Sequence, residues 1–437
     1  MASIPRCLML AGVLGASVAG CVLFFKGPPP SAEALAKGFE EAKLERLDAL
    51  LQDAVESRQI AGSVALLSRY GRVGHLKAVG WRDAEAQVPM TTDTLFRIVS
   101  LTKPITCVAV MMLVEEGKLR LTDPVSKFIP EFRSPGVGIP SLVSWGLQVR
   151  PAKREITIRD LLTNTSGLTY RFWDLQPWSS LYRSAGISDG LNHAPGTSLE
   201  NVRRLARQPL MFQPGSFWGY GLSIDVLGVV VEVVSGQDLE TFFRERIFTP
   251  LKMNDTFFYV PEEKKDRLAA LYIPDRHGKV RRVGEGLATV GEMEFSATYP
   301  CERYGRYFSG GAGLVSTASD YARFLQMLLN GGELDGVRLL QTETITQMTS
   351  NQIGYMKTYF PQYGDSFGYG FGVLTVDGKP LDVASTGTYS WGGLFNTYFW
   401  VDPKKDLFGV LLIQLFTIGD LPLRQEFKKR AYDSLVG

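Results

Sequence analysis

The stretch that decides the fold is Phe96-Arg97-Ile98-Val99-Ser100-Leu101-Thr102-Lys103-Pro104-Ile105-Thr106. A strand-like segment over residues 94–99 leads into it, and an apolar helical run continues over residues 104–114. Ser100 and Lys103 are three residues apart, so on a helix they lie on one face, about one turn from each other. At this spacing the lysine amine can reach the serine oxygen.

This serine–lysine pair has the composition of an activated nucleophile. A serine hydroxyl is a weak nucleophile until a neighbouring base takes its proton, and a lysine serves as that base when burial or a second cation lowers its pKa. The helix N-terminus favours negative charge developing on Ser100, and Pro104 fits the first helical turn. The ordinary alternative is an N-capping serine followed by a surface lysine. The preceding strand and the apolar helix favour the catalytic interpretation.

The bulk properties exclude several classes of function. The chain has 437 residues, enough for a large core, and its 47 basic and 45 acidic residues give a net charge of +2, which does not suggest a nucleic-acid partner. The four cysteines lack zinc-site spacing and no Gly-rich phosphate loop occurs, so we expect no metal and no cofactor. Cys107 is expected to be a small buried side chain, although a disulfide to Cys301 remains open.

A Ser-His-Asp hydrolase of the α/β type is also disfavoured. Only three histidines occur, at positions 75, 193 and 277, and none lies in a context typical of a catalytic base. A hydrolase built from this chain needs a base other than histidine, and Lys103 is the candidate.

The N-terminus predicts attachment to a membrane. Residues 7–25 are nearly all apolar or small, and Pro28-Pro29-Pro30 follows as an extended linker, so residues 1–30 form a signal or membrane-anchor segment with a Pro-rich linker. Val18-Ala19-Gly20-Cys21 resembles a bacterial lipobox, which makes Cys21 a candidate lipidation site; an uncleaved anchor helix is the alternative. We expect an exported, membrane-attached protein. The sequence specifies no oligomeric state.

The remaining chain, 31–437, predicts one catalytic domain of the α/β (α+β) class. Strands are expected near both ends, over 63–69, 73–80, 369–376, 397–401 and 407–413. Helices are expected over 32–56, from 158, over 224–249 as a helix or helix pair, and over 422–434, whereas 134–153 is expected to be a loop. Segments 31–99 and about 305–437 would thus form an antiparallel sheet flanked by helices, with a large, mostly helical region inserted over about 100–304.

The stretch 96–106 resembles the nucleophile motif of serine β-lactamase-related hydrolases. This group includes class C β-lactamases, D-alanyl-D-alanine carboxypeptidases, family VIII carboxylesterases and fungal acyltransferases of the lovastatin type. Further similar segments occur in the same order over 156–168 (with Asn164 where histidine is usual), 212–228 and 310–320, and the resemblance spans about residues 40–435. It implies a β-lactamase/transpeptidase-like fold.

The resemblance assigns roles to individual residues. Ser100 is the nucleophile, Lys103 is its proton acceptor, and Tyr220 takes the place of the family's tyrosine, a second general base or acid. Without the flanking motif, Tyr220 would be interpreted as a core aromatic residue. The backbone N–H of Ser100 and one near Gly393 or Leu394 are expected to form the oxyanion hole, because glycines let backbone approach substrate closely.

Two departures from the lactamase pattern favour neutral esters as substrates. Leu222 stands where asparagine follows the tyrosine, and Trp391-Gly392-Gly393 stands where Lys-Thr-Gly is usual, as in family VIII carboxylesterases. The chain therefore lacks an amide and a cation that would hold a lactam or peptide carboxylate. An aromatic cluster over 170–183 would suit a lipophilic acyl pocket if it faces Ser100.

The sequence thus predicts a membrane-attached serine hydrolase that cleaves small-molecule carboxylic esters through an acyl-enzyme. An acyltransferase of the same family is a close variant. The rivals are a penicillin-recognising β-lactamase or D,D-peptidase, which export would suit, and a non-catalytic scaffold on a hydrolase fold.

Overall fold

The computed structural model describes residues 38–141, 146–173, 175–193, 195–302, 306–375, 383–417, 419 and 421–436. The N-terminal segment 1–30, with Cys21, lies outside these residues, so the predicted anchor and lipidation site stay predictions. Among the helices that are described, none has the length and apolar character needed to cross a bilayer.

Strands occur along the whole described chain. In chain order they are β1 (Gly62–Arg69), β2 (Arg72–Asp83), β3 (Val88–Pro89), β4 (Phe96–Arg97), β5 (Gly136–Ser141), β6 (Gly146–Pro151), β7 (Tyr272–Pro274), β8 (Val280–Arg282), β9 (Leu287–Val290), β10 (Met293–Ser296), β11 (Val315–Ser316), β12 (Glu333–Leu334), β13 (Val337–Arg338), β14 (Ser366–Phe367), β15 (Gly372–Val373), β16 (Tyr389–Gly392), β17 (Tyr398–Asp402) and β18 (Leu407–Ile413).

The α-helices lie before, between and after these strands. They are α1 (Glu41–Glu56), α2 (Thr102–Glu115), α3 (Ile158–Leu162), α4 (Trp178–Ser184), α5 (Ser198–Ala206), α6 (Ser223–Ser235), α7 (Leu239–Phe243), α8 (Ala318–Leu329), α9 (Thr342–Met348) and α10 (Leu423–Asp433).

One antiparallel sheet joins both ends of the chain, which confirms the predicted fold class. Its order is β14-β15-β16-β17-β18-β1-β2-β3, and β1 pairs with β18 so that Ser63 lies opposite Ile413. Both of these strands are buried along their length, because helices cover both faces of the sheet.

The side chains of β1 alternate between two cores, as the period of two in a strand requires. Val64 and Leu66 belong to the large core that contains α2 and α6, whereas Ala65 and Leu67 pack with residues of α1 and α10. Helix α2 is buried from Thr102 to Leu113 and packs against α6. The helix that carries Lys103 is therefore part of the large buried core.

Several boundaries differ from the prediction. The predicted loop over 134–153 is wrong, since β5 and β6 form a hairpin there. The first strand of this hairpin also pairs with Leu210, which is distant in the sequence. The Gly138 N–H donates to the Leu210 carbonyl, and the Leu210 N–H donates to the Gly136 carbonyl. The inserted region also contains the pairs β7–β8 and β9–β10, so it is less helical than predicted.

The remaining differences are smaller. Helix α1 begins at Glu41, because Phe39 forms a bridge with Leu435; the part predicted before residue 38 lies outside the described residues. Of the strand predicted over 369–376, the described residues 369–375 form a strand at Gly372–Val373, and residue 376 lies outside the described residues. Cys107 and Cys301 are both free, and Cys107 is buried, so the disulfide that the sequence left open does not form.

The Glu232 side chain links α6 to the start of α7, and its titration makes the stability of the folded protein depend on pH. Its carboxylate accepts a hydrogen bond of 3.1 Å from the Leu239 N–H. Burial raises the pKa of Glu232 from its usual 4.5 to about 7. Because the ionised form is disfavoured in the folded state, the wild-type protein loses stability as the pH rises from about 4.5 through 7.

We expect Glu232→Gln to remove this loss, since glutamine keeps the acceptor and does not titrate. Relative to wild type, the variant should gain about 2 kcal/mol of unfolding free energy between pH 5 and pH 8, measured by urea denaturation. Glu45→Gln, at an exposed position of α1, is the matched control. A Glu232→Gln difference that stays constant with pH would contradict this account.

Candidate active site

Ser100 lies in a 3-10 turn, Val99–Leu101, that runs directly into α2. The backbone before it is strained, because Val99 is β-branched and has φ 44°, in the left-handed region. Contacts on both sides hold this conformation: the Ile98 N–H donates to the Leu314 carbonyl, and the Ile98 carbonyl accepts from the Thr397 hydroxyl. The predicted placement of Ser100 at the start of the buried helix is therefore found, with a turn of 3-10 geometry.

The Lys103 side chain is fully buried, at 0% exposure, and its amine is bonded to three groups. Nζ donates to Ser100 Oγ at 3.3 Å, to the Tyr170 hydroxyl at 2.8 Å and to the Gly311 carbonyl at 2.8 Å. The predicted contact between the serine and the lysine is thus present, and two non-local acceptors fix the amine.

Tyr220 lies beside this pair. Its ring centroid is 4.7 Å from Lys103 Nζ, and its hydroxyl accepts a hydrogen bond of 3.2 Å from Trp391 Nε1. Its backbone carbonyl accepts a second bond, of 3.1 Å, from Trp173 Nε1. The three residues that the resemblance assigned to catalysis are therefore brought together, and Trp391 orients the tyrosine.

Tyr170 is a site residue that the sequence interpretation missed, having placed it only within an aromatic cluster. Burial raises its pKa well above the usual value of 10, with smaller contributions from Tyr220 and from the carboxylates of Asp225 and Asp189. Tyr170 therefore stays a neutral phenol. Its hydroxyl oxygen accepts the hydrogen bond from Lys103 and keeps its own proton. No local sequence motif identifies Tyr170 as a site residue.

Asp225, on the first turn of α6, is a second group that was missed. It is 5% exposed, and it accepts hydrogen bonds from Ser309 Oγ and from the Gly311 N–H. Burial raises the pKa of its carboxyl, while the charge of Lys103 opposes this rise. Asp225 thus fixes the Gly311 segment, whose carbonyl holds the Lys103 amine.

The structure distinguishes the two candidates, Gly393 and Leu394, for the second donor of the predicted oxyanion hole. The Gly393 N–H donates to the Thr397 carbonyl at 2.7 Å, so it is occupied. Within the described chain, the N–H of Leu394 donates to no protein group, and Leu394 lines the same cavity as Ser100. Leu394 is therefore the better second donor. A Cβ on Gly393 would lie 2.8 Å from the Ile98 carbonyl, which explains why glycine stands there.

A cavity of about 580 Å³ opens above Ser100. Aromatic side chains dominate its walls, namely Tyr170, Phe172, Trp173, Tyr220, Phe360, Tyr363, Trp391 and Phe416. The predicted aromatic cluster is therefore divided: its first members face the nucleophile, whereas Trp178 and Tyr182 are buried in the core. Gly392 and Gly393 line the cavity as well, as predicted.

In the described part of the chain, no group of three histidine, cysteine or acidic side chains could hold a metal ion. The groups gathered at Ser100 are a hydroxyl next to a buried amine, two phenols, and backbone N–H donors facing an apolar cavity. Such an arrangement suits nucleophilic attack on a carbonyl group.

Comparisons with known proteins agree with this geometry. A family model described as "Beta-lactamase" matches residues 47–431. "Esterase EstB" of Burkholderia gladioli is 37% identical over 379 residues, covering 84% of this chain and 89% of that protein. "Lovastatin esterase" of Penicillium rubens is 31% identical over 416 residues, covering 88% of this chain and 98% of that protein.

A solved structure gives the same result at the level of the fold. The protein described as "EstCE1, a hydrolase with promiscuous acyltransferase activity" superposes with a TM-score of 0.78 at 30% sequence identity. The match covers 91% of this chain and 100% of that chain.

Removing the Tyr170 hydroxyl tests its contact with Lys103. We expect Tyr170→Phe to lower kcat for a carboxylic ester by about 10- to 100-fold with little change in KM, because the amine loses an acceptor that fixes it beside Ser100. The control is Tyr389→Phe, which removes the hydroxyl of another buried tyrosine. Equal kcat values for Tyr170→Phe and wild type would show that this contact does not matter.

Proposed function

The chain belongs to the β-lactamase family, and we propose that within it this protein is a serine esterase that forms an acyl-enzyme on Ser100. One observation carries the proposal: the buried Lys103 amine is bonded to Ser100 Oγ at the base of a cavity with largely aromatic walls. Such a cavity binds the apolar groups of an ester, and the amine supplies the base that the serine needs.

The arrangement supports the following sequence of steps. Ser100 Oγ attacks the ester carbonyl carbon while its proton passes to Lys103 Nζ, which takes it as an unprotonated amine and keeps its bonds to Tyr170 and to the Gly311 carbonyl. The N–H groups of Ser100 and Leu394 stabilise the negative charge on the carbonyl oxygen. The bond to the alcohol oxygen then breaks, and that oxygen takes the proton held by Lys103, with Tyr220, whose ring centroid lies 4.7 Å from the amine, as the second general acid. Water, activated by the same groups, attacks the acyl-enzyme and releases the acid.

Two positions support esters rather than β-lactams as substrates. Leu222 is fully buried, so it offers the cavity no amide in place of the usual asparagine. Trp391 is also buried and its indole N–H is bonded to Tyr220, so this position presents no cation. A lactam or peptide carboxylate would therefore find neither partner there. Two of the relatives are themselves named esterases.

Acyl transfer is the second candidate function, because the same acyl-enzyme can react with an alcohol instead of water. The solved structure with acyltransferase activity in its description supports this variant. The apolar cavity beside Ser100 could also bind an acceptor alcohol. A higher yield of transferred ester when an alcohol is added would identify it.

The esterase proposal predicts a clear pattern of substrates. The full-length protein should hydrolyse p-nitrophenyl butyrate, leave nitrocefin intact, and lose at least about 10³-fold in kcat upon Ser100→Ala. Ser180→Ala, on the exposed side of α4, is the control.

The other outcomes separate the rivals. Turnover of nitrocefin with little ester hydrolysis would favour a penicillin-recognising enzyme. Failure of both substrates and of active-site serine probes would favour a non-catalytic scaffold. Ester hydrolysis that survives Ser100→Ala would rule out Ser100 as the nucleophile.

We also propose that the N-terminal segment attaches the enzyme to a membrane, on the basis of its apolar run and the lipobox-like Cys21. In a bacterial host the full chain should sediment with membranes, and a chain lacking residues 1–30 should not. If Cys21 is lipidated, Cys21→Ser abolishes incorporation of labelled fatty acid; with an uncleaved anchor helix, Cys21→Ser stays in the membrane unlabelled. Full-length protein in the soluble fraction would contradict the proposal.

A further inference from the structure

One wall of the catalytic cavity carries a carboxylate for which the proposed reaction has no use. Asp189 lines the cavity and is 5% exposed. Its Oδ1 accepts a hydrogen bond of 3.0 Å from the Arg171 N–H, and its Oδ2 lies 3.6 Å from Arg171 Nε. That Nε atom is buried and makes no hydrogen bond with the described groups. The Arg171 guanidinium thus forms an ion pair with Asp189, at a separation longer than a hydrogen bond.

The guanidinium of Arg171 is shared with a second carboxylate. Its Nη2 donates to Glu294 at 2.7 Å, so one cation faces two acids. The adjacent Glu292 also lines the cavity and pairs with Arg183 of α4. When all five groups are ionised, this wall carries one more negative than positive charge. Burial of an incompletely compensated carboxylate is costly, and it raises the pKa of Asp189 to about 7.

Aromatic faces lie next to this carboxylate. Phe172 stacks on Tyr170 with ring centroids 4.6 Å apart, and Trp173 lies 5.1 Å from Phe172. These rings line the cavity together with Asp189. Aromatic faces attract cations, most strongly where water is excluded, and a group of rings beside a carboxylate is the arrangement that recognises quaternary ammonium groups.

The other two cations at the site, Arg424 and Lys103, are bonded to groups other than Asp189. Arg424, at the start of α10, donates to the Tyr363 hydroxyl at 2.7 Å and stacks over the rings of Tyr363 and Tyr398. Lys103 lies below Ser100 and is bonded to three groups. Neither forms an ion pair with Asp189 in the described structure.

We propose that the wall formed by Asp189, Phe172 and Trp173 binds a cationic nitrogen of the substrate, so that esters carrying an ammonium group are preferred over neutral esters of the same shape. This inference rests on the proposed esterase function and specifies its substrate class. The positive charge of the substrate balances the excess negative charge beside Asp189. The aromatic rings take the place of the water molecules that surround the ammonium group in solution.

A pair of isosteric esters tests the proposal with the full-length wild-type protein. Butyrylcholine and 3,3-dimethylbutyl butyrate share an acyl group and have alcohols of the same shape, and they differ by one positive charge. Their hydrolysis is followed by proton release at pH 8, where Asp189 is largely ionised. We expect kcat/KM to be at least about tenfold higher for butyrylcholine, which corresponds to about 1.4 kcal/mol. Equal values, or a preference for the neutral ester, overturn the inference and leave the esterase proposal intact.

Substitutions locate the preference on this wall. Asp189→Asn should reduce the ratio of the two kcat/KM values to near one, because it removes the charge and keeps the shape. Asp266→Asn makes the same change at an exposed position and should keep the wild-type ratio. A ratio that survives Asp189→Asn overturns the assignment to this wall.

A binding measurement tests the wall without any turnover. Ser100→Ala protein is titrated with each ester by calorimetry, alone and combined with Asp189→Asn. Tighter binding of butyrylcholine than of its neutral isostere, lost in the double variant, supports the proposal even if the wild-type protein hydrolyses no ester. Equal affinities overturn it.

Discussion

The structure of this site depends on keeping the Lys103 amine buried. A buried amine is tolerated only when its polar atoms are satisfied, and this one is bonded to Ser100, Tyr170 and the Gly311 carbonyl. These partners come from three distant parts of the chain. The amine is therefore in place only after three parts of the chain have packed together: the start of α2 at Ser100, the segment that contains Tyr170, and the segment that contains Gly311. The cores on the two faces of the sheet hold these parts in position.

The groups around the amine serve to fix the reacting atoms. Val99 keeps an unfavourable backbone conformation so that Ser100 reaches the cavity, and the close fit of Gly393 against the Ile98 carbonyl holds that turn from the other side. Trp391 orients the Tyr220 hydroxyl instead of presenting a charge. The result is a site whose catalytic groups are fixed and whose binding walls are mostly aromatic. Such a site suits neutral acyl chains more than anionic substrates.

The sequence predicted those features that are encoded locally. The Ser100–Lys103 contact follows from a spacing of three residues, and strands β1 and β18 follow from continuous apolar runs at both ends of the chain. Tyr170 could not be found in this way, because its contact with Lys103 spans 67 residues and belongs to no motif. The hairpin over 136–151 was missed for the same reason: its first strand is completed by pairing with Leu210, far along the chain. Tyr220 was identified only through the resemblance of its flanking residues.

The most direct test of the central claim is to identify the acylated residue and its dependence on Lys103. Wild-type protein and Lys103→Met are mixed with p-nitrophenyl butyrate, quenched with acid at short times, digested and mapped by mass spectrometry. The account predicts a butyryl group on Ser100 of the wild-type protein and at least about 10²-fold slower acylation of Lys103→Met, because the serine loses its base. Acylation of another residue, or equal rates on Ser100 in both proteins, would contradict it.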